Sequence, residues 1–377
     1  MNAILVVFLG TLLMVDEALA CPKPPKPPKE PKNPTTLVLT GGLVPSILLK
    51  KADVGYAIRD LVVYHVDSGE TGDVRQMTSP RVLHSAGAYK GRLLVTGGQD
   101  FYPDEGIGTE LRTAELHDAD GGVKEAAKPT GEAVVGQAHA VVGDRLYTCG
   151  GMRTDNVVSR RCQYYSFDED AWHGVSQPMT HPVLSGRAVA SRDGRFLYVL
   201  GTEAQGTSKL AAGTGETREG VGAAAGGELY LQRLDIKTEQ WAQLPALAIR
   251  TGNPQEFAEK GGMAFLPKGD QLLFCYSIID FTLDFICNKI DLGNENGGAP
   301  MWESVSATWP PPEAYGPVHT SRFIECGGKL LLAGEHQRDF NTGLASLVAI
   351  YDEDTKTFQT TKKPTRPIRL LSEPACM

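Results

Sequence analysis

The side chains with the most chemistry in this 377-residue sequence are seven cysteines, eight histidines and a scatter of arginines. The cysteines stand at 21, 149, 162, 275, 287, 326 and 376. Cys149 lies in LYTCGG and Cys275 in LLFCYS, and each is followed 12 or 13 residues later by another cysteine. No C-x-x-C occurs, so the spacing favours disulfides over a thiolate metal site. The expected pairs are Cys149–Cys162 and Cys275–Cys287. Cys21, Cys326 and Cys376 remain, and one of them must be left over or pair with another chain. Our reading is Cys21–Cys376, with Cys326 free and buried. Arg81, Arg187, Arg322 and Arg369 stand at or just before short apolar runs, as do His84, His139 and His319. Guanidinium groups gathered on one face would grip carboxylate or sulfate. Imidazoles gathered there would hold a metal or an anion. The alternative is internal: salt bridges for the arginines and packing or hydrogen bonding for the histidines. No H-E-x-x-H, G-x-S-x-G or P-loop pattern adds a catalytic constellation.

These residues recur because the elements that carry them recur. A short apolar run ending in Gly-Gly appears as LVLTGG (37–42), LLVTGG (93–98) and LYTCGG (146–151). Weaker copies are LYVLGT (197–202), LLFCYS (272–277) and LLLAGE (330–335). The last five are each preceded by a second apolar run across a turn such as Lys90-Gly91-Arg92 or Asp193-Gly194-Arg195. Such turns supply the positive φ that a hairpin needs. A further apolar run then ends in aspartate, at 67, 118, 168, 235, 291 and 352. Aspartate there accepts from backbone N–H groups about two residues on and fixes the turn. Trp172, Trp241, Trp302 or Phe358 follows in four of the copies, where a large ring fills the wedge between sheets. Four strands per unit and six units of about 57 residues make a β-propeller period.

Unit one lacks its innermost strand, and the chain supplies a candidate at its other end. SEPAC, within residues 366–377, matches HSAGA in layout. The expected fold is all-β, with six blades over 35–377 and a ring closed by the C-terminal strand completing blade one. Two segments interrupt the period: an Ala/Gly-rich loop at 202–228 and a longer connection at 43–60.

Residues 1–20 read as a secretory signal peptide, with an apolar stretch and a terminal Ala-Leu-Ala. Residues 21–34 hold seven prolines and four lysines, an extended leader that can form neither helix nor sheet. The whole chain carries −8, with 37 Lys and Arg against 45 Asp and Glu. That charge argues against a nucleic-acid partner. No second stretch is long enough to span a membrane. The expected location is therefore extracellular, and oligomeric state is not readable.

The strand–turn–strand-Gly-Gly unit followed by Asp–turn–aromatic resembles the kelch repeat over essentially all of 37–377. The resemblance implies that Arg81, Arg187, Arg322 and Arg369, with His84, His139 and His319, lie on inner strands facing a central channel. Secreted kelch-like propellers include the galactose-oxidase family of copper radical enzymes and a six-bladed sugar epimerase. The resemblance therefore leaves open a copper oxidase-like or sugar-modifying enzyme. Copper chemistry needs a Tyr–Cys pair, a second Tyr and two His, which the repeats do not map here. The function expected is a binding or scaffold module for an extracellular protein or glycan, with no cofactor, no metal and no catalytic residues.

Overall fold

The structure is a computed structural model. It describes residues 36–44, 56–100, 108–130, 134–203, 227–249, 254–277, 285–293, 299–305, 318–339, 343–360 and 373–377, a few of them by backbone alone. Residues 1–34, expected to be a signal peptide and a leader, lie outside these residues.

Alternation of side chains explains the sheets. In the strand Arg92–Thr96, Leu93 and Val95 point to one side and Leu94 to the other, and all three are buried. A strand apolar on both faces needs a sheet packed on each side. Six antiparallel sheets meet that need. Five of them are meanders in which the strand nearest the axis comes first in the chain and the outermost comes last; in the sixth the innermost strand comes from the C-terminus. Blade two is typical, with Ser85–Tyr89, Arg92–Thr96, Ala114–Asp118 and Val123–Glu125 side by side. Six apolar clusters fill the wedges, each drawn from two neighbouring blades. The protein is a six-bladed β-propeller.

The inner strands of blades one to six are Glu373–Cys376, Ser85–Tyr89, Ala138–Val142, Leu184–Ala190, Gly262–Phe265 and Val318–Cys326. Each touches its two neighbours, so the ring is closed. Glu373–Cys376 pairs antiparallel with Thr36–Thr40, setting Cys376 opposite Leu37 and Glu373 opposite Thr40. The C-terminal strand thus completes blade one.

The Gly-Gly signature is an inter-blade contact. Gly150 and Gly151 both have positive φ, at 71° and 84°. The N–H of Gly151 donates to Val183 O, just ahead of the blade-four inner strand, at 2.6 Å. A β-carbon on Gly150 would collide with that same carbonyl. In blade one, Gly42 N–H likewise donates to Arg81 O at 2.9 Å, and a β-carbon on Gly41 would lie 2.5 Å from it. Only glycine permits both the turn and the approach.

The aspartate turns behave as their chemistry requires. Asp235 Oδ1 accepts from the N–H groups of Lys237 and Thr238 at 3.0 Å, and Asp352 Oδ1 from Asp354 and Thr355 at 2.9 and 3.1 Å. Both carboxyls are held below the ordinary aspartate range, chiefly by those backbone bonds. The tryptophans bridge blades. Trp172, Trp241 and Trp302 donate Nε1–H to Ala127 O, Gln177 O and Pro245 O at 2.7, 3.1 and 2.9 Å, on the chain leaving the preceding blade.

Cys149–Cys162 and Cys275–Cys287 are disulfides between directly opposed residues of adjacent strands, with Cα–Cα distances of 4.1 Å. The third pairing corrects the expectation. Cys376 bonds to Cys326, not to Cys21, and Cys326 is not free. The inner strands of blades six and one are neighbours, which brings the two Cα atoms to 5.4 Å, well within disulfide reach. Cys21 lies outside the described residues. So does most of the interrupting loop at 202–228. The strands on either side, Phe196–Thr202 and Gly227–Asp235, still pair, with Gly201 opposite Tyr230. Of the connection at 43–60, Leu43–Val44 pairs with Tyr56–Ala57, and 45–55 lie outside the described residues.

Candidate functional site

Every inner strand is the edge of its sheet and turns its other side toward the axis. Together the six strands enclose a cavity of about 630 Å³. Alanine and glycine are the commonest residues of its described wall, with Ala86, Ala88, Ala188 and Gly186 among them. Small side chains hold the bore open and bring the backbone to its surface.

Charged side chains enter it at two levels. At one end Arg187 and Arg322, from blades four and six, converge on a short helix, Pro254–Lys260, ahead of the blade-five inner strand. Both donate to Glu259 O, Arg322 Nη1 at 2.6 Å. Arg187 Nε also donates to Gly261 O at 2.8 Å. The last carbonyls of a helix have no intrahelical partner and carry the negative end of its dipole, so guanidinium groups are suited to them. Phe257 and Ala258 anchor the helix in the wedge between blades four and five. At the other end, beside the inner hairpin turns, Arg192 Nη1 donates to Gly269 O at 3.2 Å and Nη2 to Leu266 O. Its Nε lies 4.0 Å from Glu325 Oε2. His139 lines the wall between these levels, its Nδ1 3.5 Å from Gln137 O.

Of the residues expected on the channel, the structure brings together Arg187, Arg322 and His139. Arg81 and His84 are elsewhere. Arg81 is 0% exposed and runs inside blade two, where Nη2 is 2.9 Å from Glu115 Oε1 and Nη1 is 2.8 Å from Gly97 O. His84 is buried, with Nε2 2.7 Å from Thr40 Oγ1 of blade one. Both have the internal roles that were the alternative reading of these residues. His319 sits on the blade-six inner strand, but its side chain lies outside the description, as does the whole of Arg369.

Sequence reasoning missed Glu115, which organises the Arg81 cluster. Burial alone would raise its pKa. Contacts with His117, the Thr78 N–H and Arg81 outweigh burial and hold it at about 2. The same burial pulls Arg81 down, opposed by the Glu115 charge. Only His117 is local to Glu115, two residues on along the same strand; Thr78 and Arg81 lie on the connection ahead of Ser85–Tyr89, more than 30 residues earlier in the chain. Arg192, just ahead of the turn Asp193-Gly194-Arg195, carries no signal of its own in the sequence, and its entry into the bore depends on the ring.

Among the described residues no group of three or more His, Cys, Asp or Glu could hold a metal ion. No family model matches the chain, and a search of curated proteins finds no match.

Proposed function

We propose that the protein is a secreted kelch-repeat propeller acting as an extracellular binding or scaffold module for a protein or glycan. The observation that carries this reading is the axial cavity of about 630 Å³, to which all six blades contribute. That volume is within the few hundred to roughly 1,000 Å³ of ordinary ligand pockets. Three disulfides fit an oxidising compartment. No described helix is long and apolar enough to cross a membrane. With six of the seven cysteines in disulfides, the Tyr–Cys pair of a copper radical enzyme would have only Cys21 to draw on.

The test is to purify the exported chain, screen it against immobilised extracellular proteins and glycans, and analyse its metal content. Saturable capture without turnover supports the reading. Stoichiometric copper with a radical absorption band, or turnover of sugars, overturns it in favour of an enzyme.

A further inference from the structure

Four buried hydroxyl groups, on Ser85, Thr96, Thr148 and Ser185, have no hydrogen-bond partner among the described residues. Buried polar groups in native proteins are nearly always satisfied, by protein or by ordered water. Three of the four stand at one level of one wedge, and strand register places them there.

In blade two, Ser85, Thr96 and Ala114 are directly opposed across three strands. In blade three, His139, Thr148 and Gln163 are opposed in the same way. Side chains two residues apart along a strand share a face. Thr96 therefore shares a face with Leu94, and Thr148 with Leu146, and those leucines meet in the apolar cluster between blades two and three. The next row along from Ser85 on that face is Gly87, Leu94 and Leu116. A β-carbon on Gly87 would lie 2.6 Å from Val141 and 2.7 Å from Leu146. That contact sets the Gly87 row against the row of Val141, Leu146 and Tyr165. One step along, the Ser85 row faces the His139 row. The wedge thus changes from an apolar layer to a polar one within a single step.

The polar layer is shut in. Ser85 and Thr96 are 1% exposed and Thr148 is 0% exposed. His139 stands on its axial side, where it also lines the cavity. Gln163 stands on its outer side and accepts from Thr130 Oγ1 at 3.1 Å. The side chains between them are short, serine, alanine and two threonines, where the neighbouring layer holds Leu94, Leu116, Leu146 and Tyr165. Short side chains in the same wedge leave room between the sheets.

Each hydroxyl can both donate and accept. A buried water makes about three hydrogen bonds to groups that would otherwise be unsatisfied. We infer that this layer is a hydration site, in which ordered water is held among Ser85 Oγ, Thr96 Oγ1 and Thr148 Oγ1 behind the His139 wall of the bore.

The test compares the full-length protein with Thr96→Val, Thr148→Val and the triple variant Ser85→Ala/Thr96→Val/Thr148→Val. Valine keeps the branched shape of threonine and removes the hydroxyl. Oxygen-17 magnetic relaxation dispersion counts long-lived internal waters, and the parent should hold at least one more than the triple variant. Each valine should lower the folding equilibrium constant about fivefold in denaturant melts, the scale of one lost hydrogen bond. Thr96→Ser and Thr148→Ser keep the hydroxyl and should keep the parental water count. An unchanged count in the triple variant overturns the inference. So does a gain in stability with either valine, because removing an unsatisfied hydroxyl from a dry site is stabilising. Should the triple variant fail to fold, the sign of the stability change in the two single valine variants decides.

Discussion

At the scale of single residues, the buried cluster around Glu115 makes the sharpest prediction. Its carboxyl is held at about 2 in the folded protein, against 4.5 for the free group. A depressed carboxylate stabilises the fold above its unfolded pKa, and that stability is lost as pH falls through the folded value. The contribution, about 3 kcal/mol by linkage, is present at neutral pH and disappears between about pH 4.5 and pH 2. Glu115→Gln should therefore lower stability at pH 7 by a few kcal/mol and flatten the acid limb of the stability curve. Denaturant melts of parent and variant from pH 7 to pH 2 check this, and parallel curves would refute it. The cluster also shows where residue-level reading stops. Arg81 looks the same in the sequence as Arg187 and Arg322, because all three stand near the start of an inner strand. What separates them is the partner within reach: Glu115 on the third strand for Arg81, the end of a helix in another blade for the other two.

At the scale of elements, most of the fold was legible because the signatures are local. The Gly-Gly ends, the aspartate turns and the tryptophans each state a backbone or wedge requirement within a few residues. The fourth-blade insertion and the seven-residue helix Pro254–Lys260 are not repeated, so periodicity had no means of finding the helix or its role at the end of the bore. The repeated elements also predict what breaks them. Gly150→Ala would place a β-carbon against Val183 O in a left-handed backbone position. The expected loss is about 1–3 kcal/mol from strain and displacement of the neighbouring blade. Gly143→Ala is the control, since its φ is also positive at 59° but a β-carbon there meets nothing within 4 Å. Thermal melts should show the larger loss at 150. Equal losses would mean that φ alone, and not the approach of the next blade, explains the motif. Trp172→Phe tests the wedge contact, removing the 2.7 Å bond to Ala127 O while keeping most of the ring. Chemical denaturation should register a loss of about 1 kcal/mol.

At the scale of the whole molecule, closure depends on two devices that can be separated. One is the ladder between Glu373–Cys376 and Thr36–Thr40, which gives blade one its fourth strand. The other is Cys326–Cys376, which fastens that strand to blade six across 50 residues of chain. Ion pairs reinforce the seam, with Lys329 of blade six 2.8 Å from Asp67 of blade one, but an exposed pair contributes at most about 1 kcal/mol. Without the strand, Thr36–Thr40 becomes an open edge and the wedge cluster holding Ala375 loses a wall. Deleting 366–377 should therefore abolish soluble expression. Without the disulfide, the ladder and both wedges remain, while the unfolded chain gains the freedom of a 50-residue loop. Cys326→Ser/Cys376→Ser should fold, keep its strand spectrum and lose about 4 kcal/mol of stability. The two variants must differ in kind. If the truncated chain folds as well as the serine pair, the C-terminal strand does not hold the ring. If the serine pair fails as completely as the truncation, the covalent link, and not the fourth strand, is what keeps the propeller closed.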